Sequence, residues 1–582
     1  MISIDLDPLT GLPRSLKTAP FVLEDHPAAE SGRKLKVAMV GAGFSGIIAA
    51  IRIDQRLGKH VDFDLYEKNY SVGGTWFENS YPGLCCDIPA HVYSLTFEPK
   101  FDWSHFYASG PEILSYLQDV AKKYKLERFL RYGHLLTGAQ WNDETKQWHL
   151  AFDIVDEKGQ KTGEKTVVAD VVIQGLGGLA RWNWPDIEGI HDFKGKKLHS
   201  ASYPDAPEAE TGKRVAVIGS GSSSIQIVPS LQKHASHVDN YVRGATWIAT
   251  PFASTELLKR QPDANNYKFT EEEKKHFAED PEDYTRFRKV MESELNGVHG
   301  VTLKGSALQV GAVEAFRELM LKKLASKPEI AKTLIPNFAV GCRRLTPGPG
   351  YLEALVQDNV GFVNTGIKRI TEKGIEANDG TVREYDTIVC ATGFDTSYRP
   401  RIPIIGKNGA NVQDLWSDVP THYLSMFIGP QFPNYFVING PNSSLGSGSL
   451  LLLFEKEVDY ITATLEKMVK ENYKTVAVKQ EAVNDWMEYV HTYFQGTVFS
   501  TKCRSWYKKG LEEGPVVALW PGSALHAVDV LKQPRWEDFE WSSGAAQHNR
   551  FGWAGNGWSQ IEAEGGDTSY YLNDIDYPPV PQ

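Results

Sequence analysis

The spacing of apolar and polar positions marks one stretch near the start of the chain as a strand followed by a helix. Leu35–Val40 is a run rich in branched apolar residues, and Ile47–Ile53 has helical spacing. Between them, Gly41, Gly43 and Gly46 have the spacing G-x-G-x-x-G. In a strand–turn–helix unit, such glycines let backbone N–H groups at the helix N-terminus approach a pyrophosphate. The pattern predicts a nucleotide-binding unit; the alternative is an ordinary tight turn.

The strand that follows this unit ends in an acid. The apolar run at 61–66 leads directly to Glu67. In a dinucleotide-binding unit, an acid at this point accepts hydrogen bonds from the hydroxyls of an unphosphorylated ribose. The first unit is therefore predicted to bind the adenosine of FAD.

The same pattern returns at 214–224, with the sequence RVAVIGSGSSS. Gly219 and Gly221 keep their places, and Ser224 replaces the third glycine. The next strand ends at Arg243, and an arginine there accommodates a ribose 2′-phosphate. The second unit is therefore predicted to bind NADPH, with a solvated arginine at the strand end as the alternative for Arg243.

Alternating stretches at 139–173 and 360–389 each predict a β-meander that ends in Asp-x-apolar-apolar and a glycine turn. This repetition predicts an α/β fold of two Rossmann-like dinucleotide-binding domains, each with a β-meander. A capping box at Thr270 and Glu273, and Asp280 before Pro281, predict helices inserted in the second domain. The predicted domains are an N-terminal extension (1–34), the FAD domain (35–180 and 391–532), the NADP domain (181–390, with its insertion at about 252–335) and a C-terminal tail (533–582).

Composition narrows the class of protein. The 582 residues carry a net charge of −11, which argues against nucleic acid or an anionic membrane as a partner. No apolar run is long enough to span a bilayer, and the first 33 residues do not resemble a secretory signal. The five cysteines are odd in number and lack C-x-x-C spacing, which predicts a reduced, cytoplasmic protein without zinc. His234 and His237 share a helical face but have no further ligands, so no metal site is expected.

Three further stretches carry a family resemblance. GGTWFENSYPGLCCD, at 73–87, resembles the signature G-G-x-W-x-x-x-x-[FY]-P-[GM]-x-x-x-D of the flavin-containing Baeyer–Villiger monooxygenases at every fixed position. FKGKKLHSASYP, at 193–204, resembles their second signature except that Tyr203 replaces the usual tryptophan. GCRRLTPGPGY, at 341–351, resembles the stretch that carries the active-site arginine of the family. The resemblance covers roughly 35–522 and leaves both ends of the chain outside.

The resemblance implies roles for individual residues. Arg344 is expected to stabilise negative charge during the reaction, and Asp87 is expected to hold Arg344 in place. Arg343 matches a contact to the NADPH 2′-phosphate, and Trp506 in the SWY run matches a tryptophan that lies over the nicotinamide nucleotide. His199 matches a hinge between domains, rather than a group acting in the chemical step.

Together, pattern and resemblance predict two sets of cofactor contacts. The FAD set is Gly41, Gly43, Phe44, Ser45, Gly46, Glu67, Gly74, Thr75, Trp76, Asp87, Tyr93, Leu136 and Leu450. The NADP set is Cys85, Cys86, Asp87, Gly219, Ser220, Gly221, Ser222, Ser223, Ser224, Gln226, Arg243, Gly244, Arg343, Arg344 and Trp506.

The activity implied by the resemblance is a Baeyer–Villiger oxidation dependent on FAD and NADPH. One oxygen atom of O2 is inserted beside the carbonyl of a small ketone through a C4a-peroxyflavin, giving an ester or lactone. The tyrosine at Tyr203 leaves open an N- or S-oxygenating relative as the alternative. A flavin-bearing redox sensor without a substrate is a more remote one. The sequence does not identify the ketone or the oligomeric state.

Overall fold

The computed structural model describes residues 23, 25–28, 33–262, 265–543 and 551–572. Its strands are β1 (Leu35–Val40), β2 (Val61–Tyr66), β3 (Leu130–Arg131), β4 (His134–Asn142), β5 (Gln147–Val155), β6 (Lys161–Ala169), β7 (Val171–Gln174), β8 (Lys196–His199), β9 (Arg214–Ile218), β10 (His237–Tyr241), β11 (Ile248–Ala249), β12 (Thr346–Pro347), β13 (Val360–Val363), β14 (Ile367–Ile370), β15 (Gly374–Ala377), β16 (Val382–Glu384), β17 (Thr387–Cys390), β18 (Ile404–Ile405), β19 (Tyr435–Val437), β20 (Tyr473–Val478) and β21 (Phe539–Ser543).

The helices connect these strands or cover their sheets. They are α1 (Phe44–Leu57), α2 (Thr75–Glu78), α3 (Gly110–Lys123), α4 (Ser222–Gln232), α5 (Thr255–Arg260), α6 (Glu271–Glu279), α7 (Pro281–Gly297), α8 (Ala307–Lys323), α9 (Pro328–Leu334), α10 (Tyr351–Leu355), α11 (Val412–Leu415), α12 (Leu450–Lys470), α13 (Gln480–Gln495), α14 (Ala524–Val530) and α15 (Gln560–Ala563).

A parallel sheet with the order β19-β7-β1-β2-β3 forms the first nucleotide-binding unit. Its central strand β1 is buried at every position but Lys36, as expected for a strand covered on both faces. The helices α1 and α12 pack against each other over this sheet, and their apolar faces join one core cluster. Because β19 lies far along the chain, the sheet is completed only by residues after the second unit.

A second parallel sheet, with the order β13-β10-β9-β17-β8, forms the second nucleotide-binding unit. The two sheets confirm the prediction of a two-domain α/β fold of Rossmann type. One detail was wrong. Val360–Val363 is not part of a meander but is strand β13, which pairs in parallel with β10. Its residues at both ends are buried, and this short run of four is too brief to distinguish the two kinds of strand by pattern.

Each domain also carries the predicted antiparallel meander. Strands β4, β5 and β6 pair in sequence in the first domain, and β14, β15 and β16 do so in the second. The predicted helical insertion is present as α5 to α9 between β11 and β12. Thr270 and Glu273 form the expected capping box at α6, and the Asp280 side chain accepts from the Asp283 N–H at the start of α7.

The first residues of the predicted C-terminal tail belong to the folded body, because β21 pairs antiparallel with β20. The predicted N-terminal extension lies mostly outside the described residues. Within the described part of the chain, no helix has the length and apolar character needed to cross a membrane.

Candidate active site

The first glycine loop joins β1 to α1 in a conformation that only glycine tolerates. Gly41 has φ +103°, and a Cβ on Gly46 would lie 2.0 Å from the Gly41 carbonyl oxygen. Gly43 differs, since a Cβ there would make only ordinary contact, 3.5 Å from the Gly74 Cα. No side chain caps the N-terminus of α1. The loop thus has a tight backbone, room beside Gly43 and uncapped N–H groups, which fit a bound pyrophosphate.

Glu67 lies where the sequence predicted it, directly after β2, but its carboxylate is already engaged. Its oxygens accept N–H bonds from Ala42 at 2.7 Å and Asn69 at 2.9 Å. The side chain is buried, and burial raises the pKa of this carboxyl. Glu67 therefore ties the glycine loop to β2. A carboxylate has lone pairs beyond these two bonds, so ribose binding remains a compatible prediction.

Aromatic side chains gather beside this loop. The Tyr93 ring packs edge-on against Phe44 at 5.4 Å and against Trp76 at 5.7 Å between ring centroids. Gly74, with φ +52°, brings the signature loop so close that a Cβ would lie 2.9 Å from the Gly43 Cα. These contacts gather predicted flavin-binding residues at one place. Of the remaining predicted FAD residues, Ser45 lies in the first turn of α1, Thr75 begins α2, Leu136 is buried in β4 and Leu450 begins α12.

The second glycine loop repeats this geometry between β9 and α4. Gly219 has φ +133°, and a Cβ there would lie 2.3 Å from the Ala391 carbonyl oxygen. A Cβ on Gly221 would meet nothing within 4 Å, and no side chain caps α4. Ser224 replaces the third glycine, and its hydroxyl donates to the Gly219 carbonyl at 2.7 Å. The loop fits a second dinucleotide, with Ser220 in the turn and Ser222 and Ser223 opening α4.

Two arginines lie together beyond β10, as the predicted 2′-phosphate site requires. Arg243 and Gly244 follow the strand and are exposed. The Arg343 guanidinium donates to the Ala245 carbonyl at 3.0 Å. Burial and the nearby charge of Arg243 lower the pKa of Arg343. Two neighbouring guanidinium groups favour an anion between them.

The signature loop also contacts α4. The Gln226 amide donates to the Cys85 carbonyl at 2.8 Å and accepts from the Tyr81 hydroxyl at 2.9 Å. This bridge sets Cys85 and Cys86 against the second domain. Burial raises the pKa of the Cys85 thiol to about 12, and it also raises that of Cys86. Both cysteines are therefore protonated thiols at neutral pH.

Arg344 and Asp87 form the ion pair expected from the resemblance, although they are 257 residues apart. Nη2 of Arg344 donates to both carboxylate oxygens of Asp87 at 2.8 Å. Among the described residues, no protein group accepts from Nε or Nη1, and the Arg344 side chain is 40% exposed. The charge of Asp87 raises the pKa of Arg344, which keeps it a permanent cation. A cation held through one nitrogen, with its other donors free, can stabilise a developing oxyanion.

Sequence reasoning missed Tyr507, although it directly follows Trp506. Trp506 is only partly buried, whereas the Tyr507 side chain is buried, with 3% of its surface exposed. Burial raises the pKa of Tyr507 to about 12, the Arg344 charge opposes this rise, and the Asp87 charge adds to it. Tyr507 therefore feels the charges of both Arg344 and Asp87 and is itself neutral at neutral pH. Its position next to Trp506 in the SWY run was the sequence signal that could have identified it.

The cysteine prediction is wrong at two positions. Cys342 and Cys503 form a disulfide, with their Cα atoms 6.5 Å apart. It joins the loop of Arg343 and Arg344 to the loop of Trp506. The two cysteines are 161 residues apart, so their spacing carried no sign of the pairing, which depends on where the two loops meet. Cys85, Cys86 and Cys390 remain free thiols.

The second signature occupies the joint between the domains. The His199 ring stacks on Trp182, with centroids 4.3 Å apart, and its side chain is buried. Burial lowers the pKa of His199 to about 4, so it is neutral at physiological pH. Tyr203 lies in the core of the second domain at 1% exposure, and its carbonyl accepts from the Ser80 hydroxyl. His199 and Tyr203 are thus packed, uncharged residues, and the hinge role expected of His199 stays a prediction.

Two uncapped glycine loops, each at the carboxyl end of a parallel sheet, define a protein with two dinucleotide sites. The family model described as "Flavin-binding monooxygenase-like" matches residues 34–255. The FAD-binding monooxygenase tazF of Aspergillus terreus is 40% identical over 97% of this chain and 98% of its own length. A Baeyer-Villiger monooxygenase of Pseudomonas aeruginosa is 32% identical over 86% of this chain and 90% of its own length.

Solved structures agree. Cyclohexanone monooxygenase from Rhodococcus bound to NADP+ matches with a TM-score of 0.74 and 26% identity, over 88% of this chain and all of that one. The chain belongs to the flavin-containing Baeyer–Villiger monooxygenase family. It is a flavin-dependent monooxygenase that uses FAD and NADPH.

Proposed function

We propose that this monooxygenase oxidises a ketone to an ester or lactone. The observation that carries the proposal is the Arg344–Asp87 pair, in which a guanidinium that is 40% exposed is held by the last residue of the signature loop and keeps donors free. FAD, once bound and reduced by NADPH, supplies the chemistry that activates O2. The residues of the chain then determine which oxidation follows.

Arg344 would act on charge that develops on the substrate. When a nucleophilic oxygen adds to a carbonyl, negative charge grows on the carbonyl oxygen, and the N–H donors of a fixed cation stabilise it. Asp87 would position Arg344 through Nη2, leaving Nε and Nη1 for the substrate. Tyr507 stays protonated at neutral pH, because burial raises its pKa to about 12. The positions proposed for the cofactors are those of the two glycine loops.

Removing the guanidinium tests this proposal. Arg344→Ala should lower lactone formation about a hundred- to thousandfold, as expected when one oxyanion donor is lost. Anaerobic bleaching of the flavin by NADPH should keep at least half of its rate, and hydrogen peroxide release should rise. Arg286→Ala, which changes an exposed arginine of α7 paired with Asp283, is the matched control. Lactone formation at the normal rate in Arg344→Ala would refute the assignment.

The second candidate is N- or S-oxygenation, which Tyr203 suggested. Its side chain packs in the apolar core of the second domain, in the same cluster as Leu198 and Val215. An amine or sulfide also needs no stabilised carbonyl oxyanion. For both reasons the ketone reaction is the stronger proposal. A ketone and a sulfide offered together in one incubation test the choice. If only the sulfoxide formed, S-oxygenation would become the stronger proposal.

A further inference from the structure

The Cys342–Cys503 disulfide connects two loops that carry predicted site residues. The arginine loop, residues 335–345, lies between α9 and β12 and contains two adjacent arginines. The tryptophan loop, residues 501–515, contains Trp506. Both loops lie within the described residues, and neither contains an α-helix or a strand. Their conformations therefore depend on individual contacts rather than on regular backbone pairing.

Few contacts join the two loops besides the disulfide. Among the described residues, no ion pair joins them, and the only polar contact is the 3.4 Å approach of the Cys342 Sγ to the Thr501 carbonyl oxygen. Ala339 and Trp506 also pack against one shared apolar cluster. The disulfide is therefore the strongest link between the arginine loop and the tryptophan loop.

The disulfide lies directly beside the two arginines of the arginine loop. Cys342 precedes Arg343, and Arg344 follows one residue later. Within the described part of the chain, the Arg344 side chain is bonded only to Asp87, and that of Arg343 donates only to the Ala245 carbonyl, at 3.0 Å. Each arginine thus has one protein partner, and the disulfide holds the backbone that carries both of them.

A buried lysine lies close to the sulfur atoms. The Nζ of Lys508 donates to the Thr501 carbonyl at 2.6 Å and to the Glu512 carbonyl at 2.7 Å, and the residue is only 1% exposed. Cys342 Sγ lies 3.4 Å from the same Thr501 oxygen, so the sulfur and the nitrogen are at most about 6 Å apart. Burial lowers the pKa of Lys508, and the charges of Glu512 and Glu513 oppose that change. A cation at this distance would stabilise Cys342 as a thiolate.

The two sulfur atoms differ in their access to a reductant. Cys503 is 4% exposed, whereas Cys342 is fully buried. A thiolate of a dithiol reductant would therefore bond to the Cys503 Sγ, breaking the S–S bond and releasing Cys342 as the thiolate beside Lys508. The second thiol of the reductant then displaces Cys503. Two electrons and two protons reach the protein, which gains two thiols, and the reductant leaves as its own disulfide.

We propose that the closed disulfide is a positioning element that holds the arginine loop and the tryptophan loop together around NADP+, and that a dithiol weakens NADP+ binding by opening it. Arg343 and Trp506 are both predicted NADP contacts, one on each loop. Once the bond is open, the two loops can move separately, and NADP+ binding has to order them again. This inference concerns the NADP+ site, so it goes beyond the proposed ketone oxidation and does not depend on which substrate is oxidised.

Thiol counting and NADP+ binding test the inference in the FAD-loaded protein. In guanidinium chloride, 5,5′-dithiobis(2-nitrobenzoate) should detect three thiols before treatment with dithiothreitol and all five cysteines after it. After the reductant is removed under nitrogen, equilibrium dialysis should show NADP+ binding weakened about tenfold, because the side chains of Arg343 and Trp506 must then be ordered on binding. The flavin content and the circular dichroism spectrum should not change.

Cysteine variants separate this effect from other actions of the reductant. Cys342→Ala combined with Cys503→Ala should bind NADP+ as weakly as the reduced wild type and should not respond to dithiothreitol. Cys390→Ala, which removes a buried free thiol of β17, is the matched control and should keep the full response. The wild-type comparison needs no variant, so it decides the question even if the double variant folds poorly.

Two results would overturn the inference. The first is five thiols in the untreated protein, since the bond would then not form. The second is NADP+ binding that changes less than twofold on reduction, even if the melting temperature falls, because the disulfide would then stabilise the fold without positioning the NADP+ site. Absence of an ester from every ketone would refute the proposed function and leave this inference standing.

Discussion

The two glycine loops have nearly the same backbone, but different residues close them. In the first loop the third glycine is obligatory, because a Cβ on Gly46 would lie 2.0 Å from the Gly41 carbonyl oxygen. In the second loop Ser224 takes that place and donates its hydroxyl to the Gly219 carbonyl. In the second loop, a small polar side chain therefore fits at the third position and bonds to the turn. Close packing, rather than the ligand, decides the third position.

The second glycine of each loop, in contrast, is not required by packing within the protein. A Cβ at Gly43 would make ordinary contact, and one at Gly221 would meet nothing within 4 Å. The protein itself therefore does not require glycine at either position. Close approach of a phosphate would explain its presence in both loops. The charges after the following strands then separate the two sites, with Glu67 in one and Arg243 beside Arg343 in the other.

The largest effect is expected in the first loop. Gly46→Ala should give a protein that is misfolded or free of FAD, because two backbone segments would have to move apart. Gly43→Ala should instead fold, with an unchanged circular dichroism spectrum. It should bind less flavin, because the added methyl group would occupy space that the phosphate needs. Flavin absorbance per protein and thermal unfolding separate the two cases. Normal flavin content in Gly46→Ala would contradict the packing argument.

The buried acids of the two domains provide the next comparison. Glu457 on α12 is fully buried, and no cation of the described residues lies within ion-pair distance. Burial raises its pKa from 4.5 to about 8. Glu210 in the second domain is also buried, but Lys196 pairs with it at 2.6 Å and the Thr387 hydroxyl donates to it.

The sign of the pH dependence follows from the raised pKa of Glu457. The folded protein keeps a proton that the unfolded chain releases, so this contribution is fully present below pH 4.5 and is lost as pH rises to about 8. The loss is roughly 1.4 kcal/mol per pH unit. Glu457→Gln should flatten the fall in melting temperature across this range, whereas Glu210→Gln should lower the melting temperature by breaking a buried pair. An unchanged pH profile in Glu457→Gln would exclude this acid as its source.

The smallest effect concerns coenzyme choice. Arg243→Ala and Arg343→Ala should each raise the KM for NADPH about tenfold or more, as expected for a charge-assisted bond of roughly 1.5–3 kcal/mol. The KM for NADH should change less than twofold, because NADH lacks the 2′-phosphate. Steady-state kinetics with both coenzymes provide the measurement. If the KM values for NADPH and NADH rose equally, these arginines would not act through the 2′-phosphate.

Sequence patterns predicted the features that depend on residues close together in the chain. Strand β1, the glycine spacing and the capping box at Thr270 each follow from residues within a few positions of one another. The pairing of Arg344 with Asp87 was expected only through family resemblance, since no local rule joins residues 257 positions apart. The Cys342–Cys503 disulfide went unpredicted, because it arises where loops from different domains meet. Strand β13 was assigned to the meander because a run of four residues does not show whether it pairs in parallel or antiparallel.

The most direct test of the account uses heavy-isotope O2. The FAD-loaded protein is incubated with NADPH, labelled O2 and a mixture of ketones, amines and sulfides, and the products are identified by mass spectrometry. We predict a lactone or ester that contains one labelled oxygen atom and disappears in Arg344→Ala. Labelled N-oxides or sulfoxides without any ester, or hydrogen peroxide alone, would contradict the account.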